Sequence, residues 1–368
     1  MQPTRLIPLL LILAACQAAP AEATVTPVLA TQAAELSTPT AAPSPTTQPA
    51  FRLAEGFQLE RQGLALEPGG GSGWDQNQVF QPDVLYHDGV FHMYYVGNRS
   101  SIDNGAIGYA TSTDGLHFSK ASEGPVLSGN DAYPSLAAPE VVFANGQWIM
   151  YLNGAKSGVP IGEDILRATA PDPAGPWTLS PDPVMEGGGL RPWDRKMQPA
   201  TVLYEDGQYT LFYFATGSPG FQMGLATSTD GVNWTRYNDP ATGDRYEDSD
   251  PVLTVGPSDA FDAYTAATLE VLYNPDAERW EMFYTGSDTD PFTVTRQSIL
   301  NAKPTYFGFA SSEDGIEWTK HPDNPVINLL ENCWPLIGAA LVEGEYYVYY
   351  DQNCGFEGIT LLQGTLED

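Results

Sequence analysis

Four stretches of this chain repeat one pattern, and a recurring unit of this length constrains architecture before any single residue is interpreted. The copies open at Gln81-Pro82-Asp83-Val84-Leu85-Tyr86, Ala138-Pro139-Glu140-Val141-Val142-Phe143, Pro199-Ala200-Thr201-Val202-Leu203-Tyr204 and Thr268-Leu269-Glu270-Val271-Leu272-Tyr273. Each passes through a turn into an aromatic strand such as Val90-Phe91-His92-Met93-Tyr94-Tyr95 or Arg279-Trp280-Glu281-Met282-Phe283-Tyr284. Two more strands straddle Ser112-Thr113-Asp114-Gly115, Ser228-Thr229-Asp230-Gly231 and Ser312-Glu313-Asp314-Gly315. Asp-Gly supplies the positive φ of a two-residue hairpin, so each copy reads as four short antiparallel strands joined by tight turns. Four such strands make a propeller blade.

A partial fifth copy runs from Gly338-Ala339-Ala340-Leu341 through Tyr346-Tyr347-Val348-Tyr349-Tyr350 to a third strand near Gly358–Leu362. Its outermost strand is missing there, and Phe57 to Leu66 resembles the fourth strand of the other copies, with Phe57 standing where Phe118, Trp234 and Trp318 stand. The expectation is an all-β fold, a single five-bladed propeller, whose N-terminal strand completes the last blade and leaves no free sheet edge. It spans residues 51–368.

A different sequence precedes it. Arg5 leads the apolar run Leu6–Leu13, and Leu13-Ala14-Ala15-Cys16 matches a bacterial lipobox, so residues 1–15 read as a signal peptide and Cys16 as the lipidated mature N-terminus. The run is too short to span a bilayer. Residues 16–50 are mostly Ala, Thr, Pro, Ser, Val and Glu, the composition of an unfolded tether. The expected location is the cell envelope, outside the cytoplasm, with the lipid as the contact to membrane.

Acids outnumber bases 46 to 16, a formal charge of −30, which argues against nucleic acid or an anionic membrane as partner and favours a neutral one. Cys333 and Cys354 flank the second strand of the last blade in an exported chain, and a disulfide between them is expected. Four scattered His and three Cys offer no zinc spacing, so neither metal nor cofactor is expected. A monomer is expected.

Equivalent positions of all blades meet at the axis, which makes the opening position of each first strand the place to look. Those positions are Asp83, Glu140, Thr201, Glu270 and Gly338. An acid there is either a site residue or an acceptor for the neighbouring blade's backbone. Upstream lie Trp74-Asp75, Asp131, Trp193-Asp194 and Phe261-Asp262, whose acids read as turn or cap residues. Trp74 and Trp193, with Trp334 in the last blade, either stack on sugar faces or pack between blades. Arg191, Arg195 and Lys196 form one basic cluster, which binds an anionic group or pairs with acids at the rim.

The blade count, the Pro-Asp/Glu-Val motifs, the Tyr-Tyr second strands and Ala170-Pro171-Asp172-Pro173-Ala174-Gly175-Pro176-Trp177 resemble the five-bladed propeller glycosidases, above all glycoside hydrolase family 43. Trp334-Pro335-Leu336-Ile337-Gly338 is similar to the closing blade of family 130 mannoside phosphorylases. The resemblance implies inverting hydrolysis of O-glycosidic bonds by a base Asp, an acid Glu and a tuning Asp. This chain departs from that pattern: Gln81 and Gln198 stand where two of the acids belong, and Ala267 near the third. Gln can hydrogen-bond a sugar hydroxyl but cannot take its proton. Period-two alternation places Asp83 on the face of Gln81, about 6 to 7 Å further along the strand. Asp83, Glu140 and Glu270 are therefore the candidate catalytic residues, with Gln81, Gln198, Trp74, Trp193, Trp334, Arg191 and Arg195 as candidate substrate contacts. A glycan-binding protein without turnover, and a phosphorylase using the basic cluster, are the alternatives.

Overall fold

Short strands follow one another without an α-helix among the described residues, and the order in which they pair reproduces the repeat. A computed structural model of the protein describes all residues except 1–51, 72, 100–103, 157–163, 188–192, 218–219, 244–248, 290–305, 329–335 and 368. The segments expected to be a signal peptide and a tether, with Cys16, thus lie outside the described residues. Contacts group Pro49–Asp368 as one unit.

Blade 1 comprises Gln78–His87, Val90–Asn98, Ala106–Ser112 and Ser119–Lys120, and blade 2 comprises Ser135–Ala144, Gln147–Ala155, Asp164–Ala170 and Thr178–Leu179. Blade 3 holds Lys196–Glu205, Gln208–Thr216, Phe221–Ser228 and Thr235–Arg236, with Pro251–Leu253 as an added partner of its third strand. Blade 4 holds Thr265–Asn274, Arg279–Ser287, Tyr306–Ser312 and Thr319–Lys320. In blade 5, Ile337–Val342, Glu345–Gln352 and Gly358–Leu366 are joined by Phe57–Leu66, which pairs antiparallel with the third strand from Phe57↔Leu366 to Leu66↔Ile359. The N-terminal strand is thus the outer strand of the last blade.

The hairpin chemistry differs in place from the expectation. Gly115, Gly231 and Gly315 do have positive φ, but the third and fourth strands they separate lie six residues apart, as between Ser112 and Ser119. The two-residue hairpins join the first and second strands instead. Asp88-Gly89, Asn145-Gly146, Asp206-Gly207 and Glu343-Gly344 each place two consecutive residues at φ near +50° and +80°, the type I′ geometry whose twist matches the strands.

Large apolar side chains fill the gaps between blades rather than the blades themselves. Tyr94 and Tyr109 of blade 1 meet Val141 and Trp148 of blade 2, and Ile149 and Tyr151 meet Trp193 and Leu211. Phe212 and Met223 meet Val271 and Met282, and Phe283 and Phe307 meet Ile337 and Tyr346. The fifth cluster packs Tyr349, Ile359 and Leu361 of blade 5 on Val84, Met93 and Tyr95 of blade 1. Each blade alone would expose two apolar faces, so every blade depends on its two neighbours.

Candidate functional site

The first strands line the axis, and a bulge near the start of four of them sets what points inward. The register shifts between Phe80 and Asp83, between Ala137 and Glu140, between Pro199 and Thr201, and between Ala267 and Leu269. Gln81 and Ala138, at φ +52° and +46°, take left-handed backbone in the first two. The bulge interrupts the alternation from Gln81 to Asp83, so the regular-strand spacing expected for that pair does not apply.

Beyond the bulge in blades 1, 3 and 4, one side chain stitches its blade to the next. Asp83 Oδ2 accepts the Val141 N–H at 2.8 Å, Thr201 Oγ1 accepts the Val271 N–H at 3.0 Å, and Glu270 Oε2 accepts the Ala339 N–H at 3.3 Å. Thr201 Oγ1 also donates to Glu270 Oε1 at 3.2 Å. Gly338 occupies the equivalent place in blade 5, where a Cβ would come within 2.5 Å of the Pro82 carbonyl oxygen. The structural alternative for this position is therefore realised at Asp83 and Glu270. Glu140 differs, because among the described residues no hydrogen bond from the neighbouring blade reaches it.

These three acids converge. One carboxylate oxygen of each of Asp83, Glu140 and Glu270 lies within 4.8 Å of the other two, and all three side chains are buried. Two unit charges at that separation repel by roughly 3.5 kcal/mol at an effective dielectric of about 20, before the cost of desolvation. The trio therefore holds protons. Burial pushes Asp83 up to about 8. Burial, then the charges of Asp83 and Glu270, raise Glu140 well above the usual carboxylate range, and burial with Asp83 does the same to Glu270. The trio's carboxylate oxygens come within 4.8 Å of one another, where inverting glycosidases hold their carboxyl groups about 6.5–9.5 Å apart and retaining ones about 5–5.5 Å apart. An all-oxygen donor set of this kind suits a hard cation rather than zinc, but retained protons compete with it.

Above the trio, Gln81, Pro82, Glu140, Pro199, Phe214 and Leu336 line a pocket of about 20 Å³. That is room for about one water and too little for a sugar ring. Gln81 is committed to the scaffold: its Oε1 accepts the Ala138 N–H at 2.8 Å and its own N–H donates to Asp351 Oδ1 at 3.3 Å. Gln198 is buried in the first strand of blade 3, opposite Phe214. Asp351, absent from the sequence-derived candidates, also accepts the Leu336 N–H at 3.1 Å and so joins blade 5 to blade 1. Its signal was a break in the repeat, since Val96, Asn153, Phe214 and Thr285 hold the equivalent place in the other blades.

The remaining candidates divide. Trp193 is 1% exposed, stacks on Tyr213 at 6.0 Å and donates its indole N–H to the Ser249 carbonyl, so it packs inside blade 3. Trp74 stacks on Tyr95 in the same manner in blade 1. Arg195 is exposed. Trp334, Arg191 and Cys333 lie outside the described residues, while Cys354 is disulfide-bonded. The upstream acids are more than turn residues. Asp75 Oδ2 takes Lys120 Nζ at 2.6 Å and the Tyr95 hydroxyl at 3.0 Å, and Asp262 Oδ2 takes Lys320 Nζ at 2.6 Å and the Tyr284 hydroxyl at 3.1 Å. Asp131 is exposed, and in blade 2 Asp164 takes Lys156 at 2.8 Å and Tyr133 at 3.2 Å instead.

Five blades in this order, with acids gathered on the axis, define a five-bladed β-propeller. No family sequence model and no curated protein sequence matches the chain. Solved structures do. A structure from the GH130 family of mannoside phosphorylases, described as containing glycoside hydrolases that target β-1,2 mannosidic linkages in Candida mannan, superposes with a TM-score of 0.63 at 19% identity, covering 87% of this chain and 96% of that one. A glycosyl hydrolase from Bacteroides ovatus gives 0.61 at 17% identity, over 87% and 96%. A thermostable family-43 glycoside hydrolase gives 0.56 at 18%, over 81% and 91%. At these identities the likeness is one of fold.

Proposed function

We propose that this protein is an extracytoplasmic, lipid-anchored carbohydrate-binding propeller that engages a neutral poly- or oligosaccharide at its axial face without cleaving it. The observation that carries this reading is the commitment of Asp83 and Glu270 to the backbone N–H groups of Val141 and Ala339, beside a pocket of about 20 Å³ that has no room for a sugar ring. Gln81 and Gln198, in the places where the resembling families carry acids, support binding over proton transfer. The carbohydrate class is taken from the propeller's likeness to glycoside hydrolases over most of its length. The anchor rests on Leu13-Ala14-Ala15-Cys16, and loss of fatty-acid labelling in Cys16→Ser checks it.

One observation favours a second reading, hydrolysis of O-glycosidic bonds. Glu140 faces the pocket, accepts no backbone N–H among the described residues, and is raised by burial well above the usual carboxylate range, which favours the protonated form that a general acid needs. Purified protein incubated with a panel of neutral polysaccharides separates the two. Retention on a polysaccharide with no release of reducing sugar supports the binder. Sugar release that is lost in Glu140→Gln replaces it with the hydrolase, and neither retention nor release removes both.

A further inference from the structure

The first strands begin at the acid pocket and end, at the other end of the axis, in the turns that lead to the second strands. One ring position at that far end stays uncovered. Tyr86, Phe143, Tyr204 and Tyr273 hold the same place in blades 1 to 4, and each meets an aromatic partner across the hairpin: Phe91 at 4.7 Å, Trp148 at 5.2 Å, Tyr209 at 4.5 Å and Trp280 at 5.1 Å. Phe91, Trp148 and Tyr209 are buried and supply the packing. The first-strand rings remain open, with Tyr86 41%, Phe143 36% and Tyr273 44% exposed, three of the six large apolar side chains that are exposed among the described residues. Contacts join these positions from blade to blade: Phe91 meets Tyr347 of blade 5 at 4.8 Å, His87 meets Phe143 at 4.8 Å, and the Tyr204 hydroxyl donates to Asn145 Oδ1 at 2.8 Å. Apolar side chains exposed singly need no explanation, whereas a joined set of them marks an interaction surface.

We propose that this face docks a protein partner that presents basic side chains around an apolar anchor. Charge selects the occupant. The same turns expose Asp88, Glu205, Asp206, Glu278, Glu343 and Glu345. They contain no lysine, and their one arginine, Arg279, lies against Glu281 at 2.9 Å. Aromatic rings within a charged rim match the anatomy of a protein–protein interface, whose centre excludes water while its rim steers a partner of the opposite sign. A second copy of this chain would bring the same acids, at a formal charge of −30, and residues 17–50 hold neither Lys nor Arg, so neither of these complements the face. None of the open rings lines the axial pocket, and the proposal does not rest on what that pocket binds.

The test follows fluorescence anisotropy of a labelled synthetic peptide of Arg, Lys, Trp and Leu titrated with the full chain at physiological salt, beside two control peptides in which Glu replaces the bases or Ser replaces the apolar residues. The basic apolar peptide should bind about tenfold tighter than either control. Tyr86→Ser/Tyr273→Ser should weaken it about tenfold, whereas Leu64→Ser, which removes a side chain 38% exposed on the outer strand of blade 5, should leave it unchanged. Asp88→Asn/Glu343→Gln/Glu345→Gln keeps every ring, and should weaken binding about threefold and flatten its salt dependence even if the ring variant folds poorly. Equal binding of the basic apolar peptide to all of these proteins overturns the proposal, leaving only diffuse attraction to an acidic chain, as does a Ser-containing control that binds as tightly. A neutral polysaccharide whose retention is lost in Tyr86→Ser/Tyr273→Ser while peptide binding is unchanged overturns it in favour of a glycan. A dimer that forms with rising concentration and disappears in the same variant overturns it in favour of a second copy.

Discussion

Acids in the blade turns and acids on the axis are the same chemical groups held in opposite states. Asp114 accepts the N–H groups of Leu116 and His117 at 2.9 and 2.8 Å, Asp230 those of Val232 and Asn233 at 2.9 and 2.8 Å, and Asp314 those of Ile316 and Glu317 at 2.8 and 2.9 Å. Backbone donors facing water-exposed carboxylates hold all three below their usual range. On the axis, Asp83, Glu140 and Glu270 share few donors and are buried, and burial drives them up. What distinguishes the two regions is the supply of donors and solvent per carboxyl, and residue type alone is a poor guide to the role of an acid here.

A third arrangement, the buried acid with its own cation, gives the largest expected effect. Lys120→Met leaves Asp75 buried beside no base and should cost about 3–5 kcal/mol in urea unfolding. A loss under about 1 kcal/mol would show that Asp75 behaves like the exposed turn acids.

Next comes pH. The axial acids keep protons in the folded state that the unfolded chain releases near pH 4, so their contribution to stability is complete in acid and declines as pH rises towards 8 and beyond. The turn acids have the opposite sign and lose their contribution below about pH 4. Urea midpoints from pH 5 to 9 should therefore fall, and Glu140→Gln should make the slope shallower by about 1.4 kcal/mol per pH unit for the one proton removed. A slope identical in the two proteins would mean that Glu140 ionises freely.

The smallest effect belongs to the turns. Ser312 Oγ accepts the Gly315 N–H at 2.9 Å and donates to Asp314 Oδ1 at 3.0 Å, so Ser312→Ala should cost about 1 kcal/mol with no change in the pH slope. A changed slope would tie the turn to the axis.

The site was only partly legible. Asp83, Glu140 and Glu270 were nameable because they break the repeat at one position, and they do converge. Their spacing and protonation were not, because the bulges that rotate them inward carry no reliable local signal, and Gln81 at φ +52° contradicts regular alternation. Trp193 looked like a sugar platform because an aromatic before an acid reads alike whether buried or open; its 1% exposure follows from packing on Tyr213 and Gly224 in a strand some thirty residues away.

By itself the sequence determined five blades and the completion of the last blade by Phe57–Leu66, since strand periodicity is a local property that repetition amplifies, while the two-residue hairpins expected at Asp114-Gly115 and its equivalents lie at Asp88-Gly89 and its equivalents instead. Tertiary structure alone decided which acids crowd together on the axis, which are capped by backbone N–H groups, and which meet a lysine. Those outcomes depend on contacts such as Asp83 with Val141, 58 residues on, and Glu270 with Ala339, 69 residues on, where one blade's side chain meets the next blade's backbone. Electrostatics in a low-dielectric interior follows distance in space, and no spacing along the chain encodes it.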